Sequence, residues 1–86
     1  MNDEDILINL EKLLNNLGIE VRYENGDFFG GLYRYHGKSQ VIINKALNAK
    51  KKIQIIANEL RVNVDLDSLY IVPALREVIE NADSLD

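Results

Sequence analysis

The sequence predicts an α+β domain: one helix, a three-stranded antiparallel meander, and two more helices packed on the sheet. Two observations carry this. Ile6, Leu10, Leu13, Leu14 and Leu17 recur at the spacing of a single helical stripe, and Ala49, Ile53, Ile56, Ala57 and Leu60 repeat the same spacing. Between them, residues 19–44 alternate apolar with polar and are punctuated by glycine turns, the pattern of strands. With 86 residues, 47% of them hydrophobic, the chain has material for one core, so residues 1–86 read as a single domain.

Residues 3–17 form the first predicted helix. Asn2 caps its free N–H groups, and Asp3, Glu4 and Asp5 complement the positive end of its dipole. Gly18 ends it in the left-handed conformation, with Ile19 packing back on Leu14. Ile19, Val21 and Tyr23 then alternate with Glu20, Arg22 and Glu24 as a strand with one wet face. Asn25-Gly26 predicts a tight hairpin turn into a second strand running from Phe28 to about His36. Gly30-Gly31 inside that strand predicts a bulge or a close approach of another group. Gly37-Lys38 reverses the chain into a third strand, Ser39 to Asn44.

The second helix spans residues 49–61, with Asn48 as cap and Lys50, Lys51 and Lys52 opposing the dipole in its first turn. A short turn at Asp67-Ser68-Leu69-Tyr70 precedes a last helix that starts at Pro73 and buries Leu75, Val78, Ile79 and Ala82. The tail Asp83 to Asp86 is expected to fray. Pairing across the second turn puts Leu32, Arg34, Val41 and Ile43 on one sheet face and Tyr33, Tyr35, Gln40 and Ile42 on the other. Both faces are therefore partly apolar, and only one can meet the helices.

Composition removes several chemistries. There is no cysteine, so disulfides, thiolate nucleophiles and Cys-ligated zinc are excluded. The acidic N-terminus and the absence of long apolar runs argue against a signal segment or a membrane span, and predict a cytoplasmic protein. The net charge is −4, but by segment it is −5 for residues 1–29, +6 for 30–62 and −5 for 63–86. Either the acidic ends neutralise the basic middle, or Arg34, Lys38, Lys50, Lys51 and Lys52 are left to contact an anion.

Possible chemical motifs are incomplete. Gly37-Lys38-Ser39 ends like a phosphate loop but lacks its first glycine and precedes a strand. Asn63-Val64-Asp65-Leu66-Asp67 opens like a calcium loop, yet Ser68 replaces the turn glycine and Ala74 the bidentate glutamate. His36 is the sole imidazole and has no nucleophile at hand, and Glu77 and Glu80 lie on a solvated helix face. Phe28, Phe29, Tyr33, Arg34, Tyr35 and Lys38 combine rings and cations as base-stacking surfaces do, but the acidic surroundings argue against nucleic acid. No cofactor is implied.

Ile42-Ile43-Asn44 with Gly31, followed by Ile55-Ile56-Ala57-Asn58-Glu59-Leu60-Arg61-Val62, resembles the hairpin-helix core of small zinc peptidases that cleave repressors. In that family the helix carries His-Glu-x-x-His, two zinc-binding imidazoles around a glutamate base. Aligned on Glu59, Asn58 and Val62 stand at the ligand positions, so the resemblance implies a scaffold that has lost the metal. More broadly, Val21 to Glu24, Gly30-Gly31, and Pro73, Ala74, Arg76 and Glu77 resemble small bacterial proteins of no assigned function.

The expectation is a non-catalytic module acting through protein contact, self-association first. Tyr33, Tyr35 and Ile42 on the second sheet face, with Ile55, Asn58 and Val62 on a second apolar side of the middle helix, form the expected contact surface. The alternatives are an unusual hydrolase built around Asn58, Glu59 and His36, and a single-strand binder using the basic, aromatic hairpin.

Overall fold

The computed structural model describes residues 1–28 and 30–82, and the expected α+β order is present. Helix α1 spans Asp3–Asn16, strands β1, β2 and β3 span Ile19–Glu24, Gly30–Tyr35 and Lys38–Asn44, and helices α2 and α3 span Ala49–Asn63 and Pro73–Glu80. A 3-10 turn at Leu66–Ser68 lies between the last two helices. The predicted tail and Phe29 fall outside the described residues.

The caps form as read. Asn2 Oδ1 accepts the Asp5 N–H at 2.8 Å and Asn48 Oδ1 accepts the Lys51 N–H at 2.9 Å. Gly18 follows α1 with φ +79, and Pro73 opens α3. The last turn of α2 runs two residues beyond the predicted Arg61, to Asn63, whose side chain bonds back to the Glu59 carbonyl.

The meander is corrected. The strand order is β1-β3-β2, with β1 parallel to β3 and β2 antiparallel to it. Residues 25–28 are therefore no hairpin turn but part of a crossing over the end of β3. The side-chain amide of Asn44 donates to the carbonyls of Gly26 and Phe28, at 2.8 Å each, and holds that crossing in place. The physical reason lies in β3 itself: Val41-Ile42-Ile43 is the most apolar stretch of the sheet and gains most from a neighbour on each side. Gly-Gly in β2, which offers little to pack, goes to an edge.

The second turn also shifts by one residue. His36 and Gly37 have φ +51 and +76, the two left-handed conformations of a type I′ turn, so Lys38 belongs to β3 rather than to the turn. Gly30 realises the close approach and not the bulge, since the register runs unbroken through Gly30↔Ile43 and Gly31↔Ile42.

All three helices lie on one side of the sheet. Leu10, Leu14, Val41, Ile43, Ile56, Leu60 and Ile79 are fully buried together, with Ile19, Val21, Tyr23 and Leu32 packed against them. Tyr23 in β1 bonds to Glu11 in α1 and lies under the Lys52 ammonium of α2, which is 5.1 Å from its ring centroid. Leu14, Ile19 and Leu60 meet at the other end, so both long helices run antiparallel to β1. Arg61 bonds to the Ala82 carbonyl and to Asn58, and Arg76 ties α3 to the 3-10 turn through Asp67 at 2.5 Å and the Leu66 carbonyl at 3.2 Å.

Candidate interaction surface

Alternation places Glu20, Arg22 and Glu24 of β1, Lys38, Gln40 and Ile42 of β3, and Tyr33 and Tyr35 of β2 on the sheet side away from the helices. Tyr33 is 51% exposed and Tyr35 68%. Ile42 is half-buried at the centre of this face, between Arg22 and Gly31. Around it Gln40 donates to Glu20 at 3.3 Å, and Arg22 pairs with Glu24 at 2.9 Å. Three of the six expected contact residues thus share one surface.

The other three do not join it. Ile55 is buried under β2, with its Cγ2 only 3.4 Å from where a side chain on Gly30 would begin. Asn58 is engaged by Arg61 at 2.8 Å, and Val62 is 69% exposed at the far end of α2. The predicted second apolar side of α2 is therefore divided among the sheet, the end of the last helix and solvent. Helical periodicity records angle and not what lies opposite, so it shows these three positions as one face.

The five cations expected to contact an anion also separate. Arg34 and Lys38 flank the hairpin turn, whereas Lys50, Lys51 and Lys52 open α2, which follows the opposite end of β3. That end is a strand length away, roughly 20 Å. Among the described residues the ion pairs are Arg22–Glu24, Arg76–Asp67 and Arg76–Glu80, and all lie within the acidic end segments. Among the described residues the acidic ends do not neutralise the basic middle by direct pairing.

Comparison with protein-family models, with curated proteins and with solved structures gives no match.

The residues of the hydrolase alternative are likewise dispersed. His36 sits at the hairpin tip against Tyr35, ring centroids 4.1 Å apart, while Asn58 is held by Arg61. Glu59 accepts from Asn63 at 2.9 Å and reaches the β2 edge, its Oε1 3.7 Å from where a Cβ on Gly31 would lie. A cavity of about 10 Å³ beside it, lined mainly by Leu14, Ile19, Leu32, Val41 and Leu60, has room for about one water. Among the described residues no three His, Asp or Glu side chains gather as a metal site, and no helix is long and apolar enough to cross a membrane.

The sequence reading missed the role of Gly31. Its missing side chain leaves space that the Tyr33 ring and Glu59 share, at 3.9 and 3.7 Å from the absent Cβ. The Gly-Gly pair signalled close approach, but nothing in the sequence named the groups that approach.

Proposed function

We propose that this protein is a non-catalytic contact module of the cytoplasm that works by associating with protein chains, first of all with itself. The reading is carried by the one-sided sheet: helices cover the face holding Val41 and Ile43, while Tyr33, Tyr35 and Ile42 stand on the other face with no helix or strand of the described residues packed over them. Exposed aromatic and aliphatic groups in a polar frame of Glu20, Arg22, Lys38 and Gln40 match the composition of contact surfaces, where tyrosine combines area with a polar tip. On this reading the likeness to zinc peptidases extends to the hairpin and helix and not to the reaction. Splitting the cations between two ends of β3 also leaves no continuous track for a nucleic-acid backbone.

The test is an amide chemical-shift titration of the full chain against its own concentration. Contact through the sheet predicts shifts concentrated in β2 and β3 and small ones in α1 and α3. Shifts confined to the helices, or binding to single-stranded nucleic acid at low salt with shifts at Arg34 and Lys38, would refute it.

A further inference from the structure

This inference rests on the reading of the protein as self-associating through its sheet, and the open edge of that sheet, β2, supplies the seam. It is an edge strand, and the turn before β3 decides which of its groups face outward. In a two-residue hairpin the pair flanking the turn exchanges both hydrogen bonds, and bonded and non-bonded pairs then alternate. Tyr35 and Lys38 flank the turn. Arg34, Leu32 and Gly30 therefore direct their backbone N–H and C=O away from β3, into the open edge. Such an edge is a template for another strand unless something blunts it. On the opposite edge, β1 carries the charged row Glu20, Arg22 and Glu24; β2 has neither such a row nor a proline.

We propose that β2 pairs antiparallel with β2 of a second copy, about a twofold axis at Leu32, so that the two three-stranded sheets become one. The residues are self-complementary in that register. Leu32 meets Leu32 of the second copy, Tyr33 falls opposite Gly31, and Arg34 falls opposite Gly30. Tyr33 and Arg34 each face a glycine, and the symmetry makes both contacts twice.

Charge favours the same occupant. Arg34 is exposed and makes no ion pair among the described residues. Glu59 lies at the β2 edge beside Gly31 and is bonded to Asn63. Arg34 shares its strand side with Leu32, the side facing the helices. Arg34 falls opposite Gly30 of the second copy, one residue from the Gly31 that the same copy's Glu59 borders, so the two long side chains would meet around the strand edge, and the twofold repeats the pair.

The chain has no cysteine, so a single introduced thiol reports its own symmetry mate. Bonded antiparallel partners have Cα atoms about 5.5 Å apart, within disulfide reach. Leu32→Cys is expected to oxidise to a covalent dimer. Tyr35→Cys, whose mates would lie roughly 20 Å apart, is expected to stay monomeric. Arg34→Glu and Glu59→Arg should each weaken association about tenfold, and the double variant should restore it. This exchange keeps the test valid even where Leu32→Cys fails to fold. Bridging of Tyr35→Cys without bridging of Leu32→Cys, or charge reversals with no effect or no rescue, would overturn the β2 seam while leaving self-association standing. A chain that light scattering finds monomeric throughout would overturn both.

Discussion

At Gly30 the backbone of β2 runs so close to β3 that an added Cβ would sit 2.6 Å from the Ile42 carbonyl oxygen and 3.2 Å from the Ile43 Cα. Its φ of +150 is also one that side chains resist. Gly30→Ala should therefore cost more than about 1 kcal/mol in urea unfolding, whereas a loss of a few tenths would show that β2 can back away. Tyr23 makes a second residue-level prediction. Half-buried and donating to Glu11 Oε2 at 2.8 Å, its hydroxyl is held well above the ordinary phenol value of about 10, by burial first and by the glutamate second. A folded pKa above the unfolded one means stability is intact below about pH 10 and falls as pH rises beyond it. Urea midpoints at neutral pH and near pH 11 should separate in the native chain and separate less in Tyr23→Phe; an equal loss in both would contradict the assignment. Asn2, Asn48, Gly18 and Pro73 could be read in advance because capping and turn chemistry depend on neighbours within a few positions. Gly30 could be read only as a close approach, since its neighbours Ile42 and Ile43 are twelve and thirteen positions away.

Among the elements, α2 joins the layers: Ile55 meets β2, Ile56 and Leu60 lie in the core, and Arg61 reaches the end of the last helix. Its first turn is electrostatically adverse, with Lys50, Lys51 and Lys52 and no acidic residue. Lys50→Glu should stabilise the protein by about 0.3 to 1 kcal/mol at low salt, with the gain shrinking as salt is added. A gain independent of salt would point to another cause. Strand order belongs to this scale and explains why part of the fold was illegible. Period-2 alternation identified each strand and its faces, and Asn25-Gly26 suggested a hairpin. Which strand lies in the middle is instead a comparison among all three. Val41-Ile42-Ile43 outweighs Gly30-Gly31-Leu32 there, and Asn44 pins the crossing that results. The same limit applied to the expected surface. Alternation within one hairpin puts Tyr33, Tyr35 and Ile42 on one sheet face, but whether Ile55, Asn58 and Val62 join them depends on what α2 packs against.

For the whole molecule, the acidic, basic and acidic blocks fold without pairing across their boundaries among the described residues, so the net −4 is a sum of separate surfaces. The apolar burial is similarly uneven: one sheet face is covered by α1 and α2, with α3 packed on those helices, and the other is left to Tyr33, Tyr35 and Ile42. A domain of this size has little stability to spare, and pairing a second copy along β2 would add backbone hydrogen bonds and cover Leu32 without changing the fold. The central claim is self-association, and sedimentation equilibrium of the full chain tests it most directly. From micromolar to millimolar concentration, the weight-average mass should rise from 9.8 kDa toward twice that value. A mass that stays at 9.8 kDa across the whole range would contradict it.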